Sequence, residues 1–343
     1  MLEKPDLPDE KIVTCLREAY GLSICQITFL PLGVDVNAAV YRAIEQDATA
    51  YFVKLRRGPF DATAVALPKF LHDQGVTQII PPLATTTGNL WATLDEFNVI
   101  LYPFVEGGNG YEVALTEQHW RTLGAALKQI QSTPLPPAIR NAIQQETYSA
   151  QWRTRVKFFL KQATPEAFTD PVAHQTAHLL QEKQTTILEL VAHTEQLAHQ
   201  LQTQAQEYTV CHTDLHAGNF LIDHNSTLYL VDWDAPLRAP KERDLMFAGS
   251  GLGGCWHTPA QEEAYFYQGY GQTTVNTSAL TYYRYERIIQ DIAAFCEQLL
   301  MSDEGGDDRP QSFRYLASNF LPDGILAIAA RADQTEWTGS NAN

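Results

Sequence analysis

Residues 211–234 read CHTDLHAGNFLIDHNSTLYLVDWD, and the order of side chains in this stretch decides the fold. A carboxylate stands at Asp214, a carboxamide at Asn219 and a second carboxylate at Asp232. Phosphoryl transfer uses groups of these kinds in this order. One carboxylate orients the attacking hydroxyl and accepts its proton, while an amide oxygen and another carboxylate hold the Mg²⁺ that bridges the nucleotide phosphates. The apolar run at 208–211 feeds the loop, and 219–222 (NFLI) and 227–231 (TLYLV) read as two short strands around a polar turn at 223–226. Such a hairpin brings Asn219 and Asp232 to the same end, where both can touch one ion, and their side chains offer the hard oxygen that Mg²⁺ prefers. A lone D-x-x-x-x-N would mean ordinary turn residues. The HxD in front and the second Asp in register argue otherwise.

The same five-residue step separates Asp and Asn in the H-R-D-x-x-x-x-N loop of protein kinases, so the upstream chain should carry a phosphate-binding lysine. Residues 49–55 read TAYFVKL, a strand with Lys54 between Val53 and Leu55. A lysine amid apolar strand residues costs stability unless its ammonium finds a partner. It reads as the strand lysine that meets the nucleotide's α- and β-phosphates, against the alternative of a lysine snorkelling from an edge strand. The following segment, FDATAVALPKFLHDQGV, contains no glutamate. Asp61 is the candidate partner for Lys54, with helix N-cap as its other reading. Residues 28–41, TFLPLGVDVNAAVY, read as strand, turn, strand, and a turn from Gly33 to Asn37 can lay backbone N–H groups over phosphates. Residues 98–110, NVILYPFVEGGNG, run from an apolar strand into glycines. A purine there can donate to the Pro103 carbonyl and accept from the Val105 N–H. The glycines mark a boundary between a nucleotide-binding N-lobe, 1–106, and a C-lobe, 107–343, with the catalytic loop and substrate-binding helices.

Periodicity changes after this boundary. Trp120, Leu123, Leu127 and Ile130 recur at helical spacing, Thr116 is placed as N-cap, and 171–206 also reads as helical. The fold class is α+β: a bilobal chain with a β-rich N-lobe and a mostly helical C-lobe. Beyond Asp234 the chain reads APLRAPKERDLMFAGSGLGGCW. The A-P-E that closes a protein-kinase activation segment is missing, which favours a built-in site for a small acceptor. Asp244 is expected either to brace the catalytic loop or to cap a helix. In 281–295, TYYRYERIIQDIAAF, charges recur at helical spacing, as on a surface laced with ion pairs. Asp303, Glu304, Asp307 and Asp308 read as a solvated acidic loop that could attract a cation.

The chain has 343 residues, 45% of them hydrophobic, with a net charge of −16. No basic patch of the kind nucleic-acid binders carry is present, so nucleic acid is excluded as partner, and the acidity suits a small cationic substrate. Five cysteines without a CxxC fit reduced thiols in a cytoplasmic protein and argue against a zinc site. The acidic start MLEKPDLPDE does not read as a signal peptide, and no apolar run reaches the ~20 residues of a membrane helix. Oligomeric state is not legible.

HTDLHAGN, the following DWD, and APKERDLMF resemble the aminoglycoside phosphotransferase family, which has the protein-kinase-like fold. YFVKL, VILYPFVEG and YYRYERIIQDIA are similar to its spectinomycin phosphotransferase group, so the resemblance runs from about Gly33 to Phe295. It implies Asp214 as catalytic residue, Asn219 and Asp232 as Mg²⁺ ligands, and Lys54 as ATP phosphate ligand. It places adenine between Pro103 and Val105, and the substrate against Trp256, Tyr283 and Glu286. The donor implied is ATP and the acceptor a hydroxyl of a cationic aminocyclitol or aminoglycoside, spectinomycin first, in a resistance role. The same residues also fit a metabolic kinase acting on choline, a sugar or an amino alcohol. A nucleotide-binding pseudokinase is disfavoured by the intact set of Lys54, Asp214, Asn219 and Asp232.

Overall fold

The computed structural model describes residues 4–32, 37–254, 256–302 and 306–333. The expected turn residue Gly33 and the acidic residues Asp303 and Glu304 lie outside this set. Helix α1 (Asp9–Tyr20) leads into strands β1 (Ile24–Leu30), β2 (Ala38–Glu45) and β3 (Ala50–Arg57). Helix α2 (Thr63–Asp73) and strands β4 (Ala92–Leu94), β5 (Phe97–Pro103) and β6 (Gly107–Asn109) follow. Next come helices α3 (Glu117–Ser132), α4 (Pro137–Ala142), α5 (Gln151–Gln162), α6 (Pro171–Glu182) and α7 (Gln184–Gln202). Four short strands, β7 (Thr209–Cys211), β8 (Phe220–Asp223), β9 (Leu228–Leu230) and β10 (Leu237–Ala239), precede α8 (Glu242–Leu245) and α9 (Pro259–Tyr270). The chain closes on α10 (Thr277–Leu300), α11 (Arg309–Ser318) and α12 (Ile325–Ala332). Two compact units result. The first comprises the described residues of Met1–Ala114, Ala125–Ile143 and Ala217–Pro236; the second comprises those of Leu115–Gly124, Gln144–His216 and Leu237–Asn343.

In the first unit β1, β2, β3, β5 and β4 form an antiparallel sheet in that order. Side chains alternate across a strand, and here one face is apolar. Ala39, Tyr41 and Ala43 of β2, Val53 and Leu55 of β3, and Val99 and Leu101 of β5 share a core with Ile12 and Leu16 of α1. Tyr20 at the end of that helix donates to the Val99 carbonyl at 2.9 Å. The helix stops at Gly21, whose left-handed φ of 73° lets its N–H reach the Arg17 carbonyl. The alternation that buries Val53 and Leu55 sends Lys54, paired in register with Val40 and Ile100, to the opposite face.

A second sheet in this unit has the order β6-β8-β9. The β8–β9 hairpin lies where the sequence placed it. Its turn is set by Asp223, whose Oδ1 accepts from the N–H groups of Asn225 and Thr227, each at 2.8 Å. An Asp side chain that bonds its own turn backbone in this way favours the turn over extended alternatives.

The second unit is helical, and α10 is its spine, packed by α5, α6, α7, α8, α11 and α12. Thr116 caps α3 as expected, its hydroxyl accepting from the His119 N–H at 3.2 Å. The helical stretch expected over 171–206 is two helices that part at Lys183. The six residues QEKQTT at 181–186 offer no apolar side chain to anchor a continuous helix. The charges of α10 also depart from expectation. Arg284 is 8% exposed and the Arg287 side chain 15%, so these are interior charges rather than a solvated surface lattice.

Helices α3 and α9 meet glycine to backbone. A Cβ on Gly124 would stand 2.1 Å from the Phe266 carbonyl oxygen, and one on Gly269 would stand 1.8 Å from that of Arg121. Neither distance leaves room for a methyl group without moving a helix. Gly269→Ala is therefore expected to destabilise the protein by about 1–3 kcal/mol, the usual cost of overpacking. Urea denaturation checks this, and an unchanged midpoint would contradict the crossing.

Candidate active site

The ammonium of Lys54 leaves β3 on the face away from the core and meets two carboxylates of the first unit. Its Nζ lies 2.8 Å from Asp232 Oδ1 and 2.8 Å from each oxygen of Asp234. Arg56, two residues along the same face, reaches Asp234 Oδ2 at 3.0 Å. Burial alone would lower the Lys54 pKa, but the charges of Asp232 and Asp234 outweigh it, and the net shift is upward. The lysine is a fixed cation. Asp61 is not among these partners: its carboxylate accepts from the Thr63 N–H at 2.8 Å at the start of α2, the capping role.

Asn219 and Asp232 sit at the same end of the hairpin. The Val231 N–H donates to the Asn219 carbonyl at 3.1 Å, so Asn219 lies across from the residue before Asp232. Asn219 is 7% exposed. Asp232 turns off β9 with φ 66°, a left-handed conformation uncommon outside glycine. Among the described residues, no cluster of three or more His, Cys, Asp or Glu forms a ready-made metal cage. A divalent ion that takes few protein ligands and completes its shell with phosphates and water needs no such cage. One amide oxygen and one carboxylate at a hairpin end, with the cationic Lys54 drawn to the same carboxylate, fit that kind of ion.

Asp214 belongs to the second unit. The backbone before it is pinned by Asp244 of α8, which is 1% exposed and accepts from the N–H groups of His212 and Thr213, each at 2.8 Å. Of the two roles open to Asp244, bracing the loop is the one the structure has. Thr213 pays for this with φ 77°, also left-handed. The carboxylate of Asp214 is flanked on both sides: Arg287 Nη1 bonds Oδ1, and His216 Nε2 lies 3.6 Å from Oδ2. Arg287 is in turn ion-paired to Asp291 at 2.9 Å. Burial raises the Asp214 pKa, but the His216 contact and the Arg287 charge override it and hold the carboxyl well below the usual range.

The other expected residues fall as follows. The Asn37 carbonyl accepts from the Arg57 N–H at 2.8 Å, tying the start of β2 to the end of β3. Pro103 ends β5 opposite Tyr51, and half-buried Val105 follows in the short link to β6. Trp256 is 42% exposed. Tyr283 is 1% exposed and stacks on Tyr148 at 6.3 Å between ring centroids. Glu286 binds Arg153 Nη1 through Oε2 at 2.5 Å, and no hydrogen bond to its Oε1 is present among the described residues. Burial, partly offset by Arg153, pushes the Glu286 carboxyl up to about 7.

Sequence reasoning missed Asp234, Arg287, His216 and Asp291 as parts of these clusters. Asp234 stood in the quoted DWD, but β9 ends at Leu230 and Asp232 is left-handed, so strand alternation did not point to it. Arg287 and Asp291 were visible only as an i,i+4 pair, a pattern far commoner on surfaces.

The sequence matches the phosphotransferase enzyme family (APH) over residues 28–274. Among solved structures, the chain is similar to spectinomycin phosphotransferase APH(9)-Ia in complex with ADP and spectinomycin. The identity is 35% and the TM-score 0.88, over 96% of this chain and 100% of that one. The AMP-bound complex of APH(9)-Ia gives 34% and 0.83, over 95% and 98%. Amicoumacin kinase hAmiN in complex with AMP-PNP, Ca²⁺ and Ami, at 15% identity and a TM-score of 0.62 over 95% and 94%, shares the fold. Among curated protein sequences there is no match. These matches define a phosphotransferase of the protein-kinase-like α+β fold that acts on hydroxyl groups of small molecules. The chain belongs to the phosphotransferase enzyme family, APH.

Asp244→Ala would leave the buried N–H groups of His212 and Thr213 without an acceptor. Each such loss costs about 1–3 kcal/mol. Thermal unfolding should show a drop of several degrees, and an unchanged midpoint would remove the brace from the account.

Proposed function

We propose that this phosphotransferase uses ATP and Mg²⁺ to phosphorylate a hydroxyl of a small cationic aminocyclitol, with spectinomycin as the first candidate. The observation that carries this reading is the 35% identity to spectinomycin phosphotransferase over 96% of the chain. Residues 1–106 supply the nucleotide-binding side, with adenine against Pro103 and Val105 and the phosphates near Asn37 and Lys54. Residues 107–343 supply the catalytic loop and the acceptor side. The four described cysteines are free, which suits a protein working in the cytoplasm.

Asp214 accepts a hydrogen bond from the acceptor hydroxyl and takes its proton late, as the new O–P bond forms and the bond from Pγ to the β-phosphate oxygen breaks, releasing ADP. Asn219 and Asp232 would hold Mg²⁺, which when bound offsets the charge of the phosphates. Lys54 adds a fixed positive charge on the phosphate side. Asp234 keeps the lysine from swinging away while Asp232 is engaged elsewhere. On the acceptor side, Glu286 is suited to an ammonium group, and exposed Trp256 is suited to a cation–π contact. Tyr283, buried against Tyr148, is the third candidate on the acceptor side.

The test is a panel of spectinomycin, aminoglycosides, choline, ethanolamine and simple sugars incubated with Mg·ATP, with ADP release and phosphorylated product measured. Spectinomycin should be turned over best. Preference for choline or a sugar would replace this substrate with a metabolic one. Asp214→Ala is expected to lower kcat by about 10²–10⁴-fold without unfolding the protein, and full activity in that variant would sink the assignment.

The Glu286 carboxyl predicts a pH dependence. Its pKa is raised to about 7 in the fold, so it is neutral below that pH and a carboxylate above it. Affinity for a cationic acceptor should therefore rise as pH rises through about 7. The KM ratio between Glu286→Gln and the wild type should widen from pH 6 to pH 8, and a ratio independent of pH would exclude Glu286 from cation binding. Comparing the two proteins on one substrate cancels the titration of the substrate's own amines.

A further inference from the structure

Arg287 stands between two carboxylates, Asp214 and Asp291, and His216 lies on the other side of Asp214. We propose that Arg287 is a positioning residue for the phosphotransfer, holding the Asp214 carboxylate at the angle that receives the acceptor hydroxyl, with Asp291 fixing Arg287. This rests on the reading of Asp214 as the group that orients the acceptor.

The geometry favours positioning over plain stabilisation. Arg287 rises from the middle of α10, the spine of the second unit, with its side chain 15% exposed. It bonds Asp214 Oδ1 through Nη1, while its Nε faces Asp291 Oδ1 at 2.9 Å. The Phe247 ring lies under the guanidinium at 5.9 Å. A guanidinium near a ring and ion-paired to a second carboxylate has less rotational freedom than one in solvent, so the carboxylate it grips has less as well. Buried ion pairs are poor sources of net stability, because desolvation offsets most of the attraction. A cation held between two carboxylates, beside a histidine, is a costly way to fill a helix interface and a good way to fix the plane of one carboxylate.

The chemistry asks for this. In a loose phosphoryl-transfer transition state the acceptor proton leaves late, so the base contributes orientation more than proton affinity. A carboxylate tied to Arg287 is a weak base and a well-aimed acceptor. With Oδ1 occupied by Arg287 and Oδ2 beside His216, the directions left open to an incoming hydroxyl are few. Errors of about 1 Å in such an alignment can cost on the order of 10²-fold in rate.

The experiment compares wild type, Arg287→Ala, Arg287→Lys, Asp291→Asn and Asp214→Ala with Mg·ATP and spectinomycin, and measures ATP binding by calorimetry. Arg287→Ala should lose about 10–100-fold in kcat, with KM and Kd for ATP within about twofold of wild type. Arg287→Lys should recover part of that loss, and millimolar guanidinium should raise kcat of Arg287→Ala in a saturable way. Asp291→Asn should show a smaller fall of the same kind. A folded Arg287→Ala with wild-type kcat overturns the proposal, as does a loss that neither lysine nor guanidinium recovers. If Arg287→Ala does not fold, unchanged kcat in Asp291→Asn overturns it. Wild-type activity in Asp214→Ala would instead overturn the reading of Asp214 itself. If the wild type does not phosphorylate spectinomycin, the same variants are read in ATP hydrolysis, where water takes the acceptor's place.

Discussion

The ion triple of Lys54 with Asp232 and Asp234 ties the residues that follow the β8–β9 hairpin to strand β3. A lysine at the centre of a five-stranded sheet is tolerable only if its ammonium is paired, and its partners come from a hairpin about 180 residues later. The strand's period of two makes this possible: the same alternation that puts Val53 and Leu55 into the core aims Lys54 the other way. The triple also explains the absent helix glutamate. Protein kinases anchor their strand lysine to an acid on the next helix; here the DWD sequence performs the anchoring within the first unit. One of the two aspartates can then serve a metal while the other keeps the lysine.

The two halves of the stretch 211–234 are fixed by different means. Asn219 and Asp232 are placed by a hairpin whose turn is written into Asp223 and whose strands pair in register. Asp214 is placed by Asp244, which satisfies two consecutive backbone N–H groups, and by Arg287. Local hydrogen bonding governs the first, and long-range packing against α8 and α10 governs the second. Asp214 falls in one unit while Asn219 and Asp232 fall in the other.

This division explains what was legible in the sequence. The hairpin, strand β3 and the α3 cap followed from period and turn chemistry, because each depends on residues close in sequence. The DWD partner of Lys54 was present as letters but not as a contact, since the chain has left β9 before Asp232 and no local period says what either aspartate faces. The charges of α10 misled, because spacing along a helix does not show which face is buried. The break at Lys183 was missed because the polar run 181–186 suits a solvated helix as well as a joint between two. The nucleotide contacts expected at Asn37, Pro103 and Val105 belong to the proposed function; the Asn37 carbonyl and Pro103 take part in the sheet.

The left-handed residues of the site have a consequence of their own. Thr213 at φ 77° and Asp232 at φ 66° each hold a conformation that glycine would adopt without strain, at a cost of about 1–3 kcal/mol per residue. For a β-branched threonine the penalty is the more severe. Selection for stability alone would have put glycine at 213. A glycine there would also loosen the backbone on which Asp214 is mounted. The chain thus trades thermal endurance for stiffness beside Asp214, and stabilising libraries built from it should recover glycine at 213 in proteins that last longer.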